Sequence, residues 1–163
     1  CGVVARMSPC PPSGRSKLPT TRNCPANMVL IDMVYEGGLR CRLVHGPSGS
    51  ILPTDAPKDN LGKGEAFSPT DLVASALGSC MLTTMGIYAK KNGIQMENSR
   101  VRVMKEMVAD PDRRVGKLSV EFQMAAGIAK ESRPVLERTA LTCPVAKSLH
   151  PKVEIPTTFN YPD

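Results

Sequence analysis

Eighteen consecutive residues, Leu72 to Ala89, carry no charge, and the rest of the chain has to be arranged around them. Ahead of them Ser68 is an N-cap residue, Pro69 suits the first helical position, and Asp71, three after the cap, completes a variant capping box. Lys90 and Lys91 place positive charge at the far end, where Asn92 and Gly93 stop the pattern. The spacing predicts one helix of about six turns. Such a stretch meets the lower limit for a membrane span, and its alternative is a helix buried on all sides. The hydroxyls of Ser75, Ser79, Thr83 and Thr84, the glycines Gly78 and Gly86, and the capping acid favour burial, so no membrane contact is expected. Small residues at Ala74 and Gly78, and at Ser75 and Ser79, let neighbouring backbones approach closely. A central helix wrapped by sheets, with a second subunit as one source of them, fits these properties.

The flanking segments supply strands. Val29 to Tyr35 and Leu39 to His45 enclose Glu36, Gly37 and Gly38 and read as a hairpin. In its second arm Leu39, Cys41 and Leu43 share one face and Arg40 and Arg42 the other, which makes Cys41 a buried core residue. Residues 46 to 67, rich in Gly, Pro, Asp and Asn, predict a long connecting loop with a short strand at Ile51; loops of that length are often functional. Beyond the helix, Arg100 to Ala109 and Val115 to Met124 alternate around Asp110, Pro111 and Asp112 as a second hairpin. Lys130 to Leu141 reads as a helix with Pro134 in its first turn. A short helix follows from Thr142, Cys143 and Pro144 to near His150, and Val153 to Tyr161 resembles an edge strand because of Pro156. Strands, helix, strands, helices, strand is an α+β order.

Charge is unevenly placed. Of the 21 basic residues, Arg6, Arg15, Lys17 and Arg22 lie in residues 1 to 27, which hold no acid, so the body carries 17 basic against 15 acidic side chains. A nearly neutral body without a basic stripe does not predict nucleic-acid binding, and the absence of Trp removes an aromatic platform. Residues 1 to 27 also hold five of the 15 prolines and no apolar period, and are expected to be a disordered leader or a non-native extension. Their Arg and Ser content has something of an organelle transit peptide, but the prolines interrupt the amphipathic helix such peptides need. Met28 opens the first apolar run, so residues 28 to 163 are expected to form one domain.

Cys41, Cys80 and Cys143 in the body, spaced 39 and 63 apart, make neither a secreted disulfide framework nor a zinc pattern. A reducing compartment, the cytoplasm by default, follows, with organelle targeting by the leader left open. His45 and His150 are the only histidines and read as surface or turn residues, so no metal is expected. Cys80, in mid-helix, is either a small buried hydrophobe or a functional thiol. Cys143 directly precedes Pro144 at a helix start, where unpaired N–H groups lower a thiol's pKa, or else it merely ends a loop. Two such cysteines form a redox pair only if the fold brings their Cα atoms within about 7 Å.

The stretches DAPKDNLGKGEAF, SPTDLVASALGSCMLTTMG and LTCPVAKSLHPKVEI resemble the OsmC/Ohr family, the osmotically inducible and organic hydroperoxide resistance proteins, over essentially all of residues 28 to 163. The resemblance implies an OsmC-like fold, a long central helix packed on antiparallel sheets in an intertwined homodimer. It implies a thiol peroxidase in oxidative-stress defence, with Cys80 peroxidatic and Cys143 resolving, joined in turn by a disulfide. No bound cofactor is implied, only a peroxide substrate and an external dithiol, lipoyl in many members. A free thiol of pKa near 8.5 is about 3% thiolate at neutral pH, and the middle of a helix offers no dipole, so a nearby cation has to activate Cys80. In the family an arginine of the N-terminal hairpin does so; Arg40 is the first candidate and Arg42 the second. Peroxide-reducing members carry a Glu ten residues before the cysteine, where Thr70 stands here. Asp71 is the nearest acid, either orienting the arginine or only capping the helix, and Glu65 is a weaker substitute. Two other readings remain: a non-catalytic protein of this fold binding an apolar ligand, and a redox sensor.

Overall fold

The uncharged stretch forms the helix its flanks predict. In the computed structural model, which describes residues 28–162, α1 spans Pro69–Asn92. The leader reading falls on residues 1–27 and lies outside the described residues. Ser68 Oγ accepts from the Asp71 backbone N–H at 3.2 Å, and Asp71 Oδ2 accepts from the Ser68 N–H at 2.8 Å, a reciprocal capping box. Gly93 ends the helix in the left-handed conformation, φ 65°, its N–H donating to the Ala89 carbonyl.

Burial pushes the Asp71 carboxyl up, but the Lys105 ammonium and the Ser68 donors outweigh it and leave its pKa below the ordinary carboxylate value. Its contribution to stability is therefore present above the unfolded carboxyl pKa of about 3.9 and lost as pH falls through the folded value. Asp71→Ala is expected to cost about 1 kcal/mol of unfolding free energy at pH 7, the worth of a helix cap. In denaturant melts that deficit should shrink below pH 4; a deficit of the same size at pH 3 and pH 7 would exclude the charged cap as its source.

Six strands form two sheets. β1 (Ile31–Gly37), β2 (Arg40–His45) and β3 (Ile51–Asp55) make an antiparallel meander, the first turn carried by Gly37 and Gly38 at positive φ. The segment expected to be mostly loop thus yields a full third strand, and the loop proper is residues 56–67. β4 (Arg100–Val108) and β5 (Arg114–Gln123) pair antiparallel, and β6 (Thr157–Asn160) joins β5 in parallel, so the second sheet is mixed where antiparallel sheets were expected. The reason is the return path. The chain leaves β5, runs through α2 (Arg133–Leu141) and α3 (Pro144–Ser148), and enters β6 in the direction of β5. Pro156 sits just outside β6 and gives its carbonyl to the Val120 N–H at 2.8 Å.

The core lies between the second sheet, α1 and α2. Leu118, Val120 and Phe122 alternate inward from β5 and meet Leu77, Met81, Met85 and Leu136, all buried. Phe122 stacks on Phe159 of β6 with centroids 4.7 Å apart. Gly78 lets α1 come down on the sheet, since a Cβ there would stand 2.9 Å from Val103. The buried face of α1 runs Ala74, Leu77, Gly78, Met81, Met85, Ala89. Its other face, with Ser75, Ala76, Ser79, Thr83 and Ile87, is open.

Among the described residues burial on all sides is therefore not reached, because the first sheet does not cover α1. That sheet leaves Ile31, Met33, Val34, Tyr35, Ile51 and Leu52 exposed, and Cys41, expected in the core, is half-buried in it. By length and composition α1 is apolar enough to cross a membrane, but its inner face is the core of this fold.

Candidate functional site

Cys80 and Cys143, 63 residues apart in sequence, meet where α3 packs on α1. Both are free thiols, Cys80 half-buried and Cys143 with no exposed surface. Cys143 is the N-cap of α3, its Sγ accepting from the Ala146 N–H at 3.3 Å. The helix start was expected to lower this thiol's pKa, and the outcome is the reverse. Burial pushes the Cys143 thiol up, the Ala146 N–H opposes it, and the neighbouring Cys80 adds to the rise. One short helix of five residues does not offset removal of a sulfur from water.

Arg40 and Arg42 separate by partner. Arg42 Nε donates to Glu36 Oε1 at 2.7 Å, within the first hairpin. The Arg40 guanidinium pairs with Glu65 and stands 3.5 Å from Asp55 Oδ2. Among the described residues its polar partners are thus these two carboxylates and not Cys80. Asp71 faces a different cation: Lys105 Nζ lies 2.7 Å from Asp71 Oδ1 and 2.7 Å from Thr70 Oγ1. So Asp71 caps α1 and binds Lys105, while Glu65, the weaker candidate, is the acid hydrogen-bonded to Arg40.

Two contributors escaped the sequence reading. Lys105 had a signal: on β4 it shares the inward phase of Val101 and Val103, where a lysine needs a partner. Asp55 had none beyond its place at the end of a short strand, although it is fully buried.

Between α1, β4 and residues 64–67 lies an open cleft of about 890 Å³. Phe67, Gly78, Leu82, Val101 and Val103 make it largely apolar, and Glu65, Asp71 and Lys105 are its charged members; Ser79 lines it, Cys80 does not. Among the described residues no three His, Cys, Asp or Glu side chains are grouped to hold a metal. His45, the last residue of β2, bonds Ser48 Oγ at 2.7 Å, and His150 accepts from the Lys152 N–H in the turn after α3.

The family model for OsmC-like proteins matches residues 62–158. A solved structure described as an osmotic stress induced and detoxification response protein from Psychrobacter arcticus is 42% identical. It superposes with a TM-score of 0.78 over 82% of this chain and 97% of its own. An organic hydroperoxide resistance protein OsmC from Legionella pneumophila is 16% identical, with TM-score 0.68 over 84% of this chain and 99% of that one. An organic hydroperoxide resistance protein from Elizabethkingia anophelis is 14% identical, with TM-score 0.65 over 85% and 99%. At those identities the last two speak for the fold alone. No curated protein matches the chain significantly.

Proposed function

This chain belongs to the OsmC-like protein family, and from that membership we propose that it is a thiol peroxidase reducing organic hydroperoxides or hydrogen peroxide. The observation that carries the reading is the meeting of Cys80 and Cys143, two free thiols on different helices. A Cys80 thiolate attacks the terminal oxygen of the peroxide. The O–O bond breaks, the alkoxide takes a proton and leaves as an alcohol, and Cys80 is oxidised to a sulfenic acid. The Cys143 sulfur then displaces that hydroxyl as water and forms the disulfide. An external dithiol, lipoyl or similar, reduces the bridge to two thiols and is itself oxidised to a disulfide. A cytoplasmic or otherwise reducing compartment suits such a cycle.

Arg40 is the cation proposed to favour the thiolate and polarise the peroxide. Its distance from Cys80 within one chain is bridged by a homodimer in which the first sheet of one protomer covers the open face of its partner's α1. The apolar surface left bare on both elements supports this arrangement.

The test is a titration of reduced protein with cumene hydroperoxide and with hydrogen peroxide, followed by mass mapping. One disulfide joining Cys80 and Cys143 per equivalent of peroxide is expected. If neither peroxide forms it, the reading fails, and the apolar cleft favours a ligand-binding protein of the same fold.

A further inference from the structure

Resting on the reading that Arg40 serves Cys80, we propose that Asp55 is the positioning residue for Arg40, fixing the guanidinium from β3 behind its exposed hydrogen-bond partner Glu65. The two residues are direct cross-strand partners in the β2–β3 ladder, so both side chains rise from the same face of the sheet. Asp55 has no exposed side-chain surface, whereas the Glu65 side chain is 59% exposed and sits on the loop before α1. An exposed carboxylate on a long side chain holds a partner weakly. A buried one fixed by backbone holds it in one direction.

Asp55 is so fixed. Its Oδ2 accepts from the Glu65 N–H at 3.0 Å, and its own N–H donates to the Phe67 carbonyl at 3.1 Å. Its Oδ1 is buried without a hydrogen-bond partner among the described residues. A buried carboxylate oxygen left unpaired is costly, and a fold serves itself better with Asn or an apolar residue unless the charge has a task. Arg40 is the only cation paired with it among the described residues, which identifies that task. The start of α1 supplies Arg40 with no acid, since Thr70 and Asp71 are both engaged by Lys105. The Glu65 N–H, with help from Arg40, overrides burial and keeps the Asp55 carboxyl below the ordinary carboxylate range, so it stays charged throughout the neutral range.

The sign of one shift separates positioning from simple charge. Deleting an anion beside Arg40 leaves that cation less neutralised and should make Cys80 easier to ionise. Deleting a positioning residue lets Arg40 drift and makes it harder. In the full-length protein, the pH midpoint of Cys80 alkylation is expected to rise by about half a unit or more in Asp55→Asn, roughly a 3-fold loss of thiolate below the midpoint. Glu65→Gln should move it by less than half as much, and Arg40→Ala upward by at least as much as Asp55→Asn. An unchanged or lowered midpoint in a folded Asp55→Asn protein overturns the proposal while leaving the peroxidase reading intact. An Arg40→Ala profile identical to the parent's removes the role of Arg40 and this inference with it. If Asp55→Asn does not fold, Glu65→Gln decides alone: a shift as large as that of Arg40→Ala assigns the positioning to Glu65 and overturns the proposal.

Discussion

Cys80→Ser is expected to abolish catalytic peroxide turnover, and Cys143→Ser to stop once its own Cys80 has been oxidised, without turning over. A serine hydroxyl is too weakly acidic to supply the anion that attacks the O–O bond, and Cys143, fully buried, does not stand in for it. In Cys143→Ser the first oxidation proceeds, but the sulfenic acid has no partner and excess peroxide drives it to sulfinic acid, a gain of two oxygens readable by mass. Serine at this position keeps the N-cap of α3, because its hydroxyl accepts from Ala146 as the sulfur does, so loss of turnover is not loss of fold. The raised pKa of the Cys143 thiol adds a pH signature. Attack on the sulfenic acid draws on a scarce thiolate at neutral pH, so in the parent protein disulfide closure should accelerate as pH rises toward the alkaline range. Turnover by Cys80→Ser equal to the parent's, or closure that slows with rising pH, would sink the two-thiol scheme.

What the sequence discloses and what it withholds divide by range. The α1 boundaries were legible because Ser68, Pro69, Asp71 and Gly93 act on backbone groups within one turn of themselves. The β4 and β5 strands were legible because inward and outward residues alternate through Val101, Val103, Leu118, Val120 and Phe122. The parallel entry of β6 was not, since strand direction depends on how the chain travels through α2 and α3. Proximity of Cys80 to Cys143 was likewise open until the packing of α3 on α1 was known. The charged partners were hardest. Arg40 with Glu65 is a contact across 25 residues and Lys105 with Thr70 one across 35, and no local pattern announces either. Cys143 teaches a related point about magnitude: its helix start was visible in the sequence, but the burial that outweighs it was not.

Ser75→Arg is expected to convert the protein from a particle of twice the chain mass to one of the chain mass, with loss of most peroxide turnover. Only one face of α1 is buried by the described residues, so the core requires apolar character at Leu77, Met81 and Met85 but not at Ser75, Ala76, Ser79 or Ile87. An exposed helix face facing water normally carries charge, and this one has none over five turns. The first sheet bears matching apolar residues, Met33 at 64% and Tyr35 at 63% exposure, again uncovered among the described residues. Each such side chain, fully buried, contributes about 1.5 to 3 kcal/mol, so two bare surfaces of this size are worth more by meeting than by standing apart. In a monomer, arginine at position 75 is a harmless surface change, within about 0.5 kcal/mol, and a better helix former than serine. In the dimer it forces an unpaired guanidinium into an apolar contact, which the interface cannot absorb. The two arrangements therefore predict opposite results from one substitution, read by light scattering and a thermal melt. A parent protein with the mass of one chain, or a Ser75→Arg variant that keeps the doubled mass, rules out burial of this helix face by a second copy.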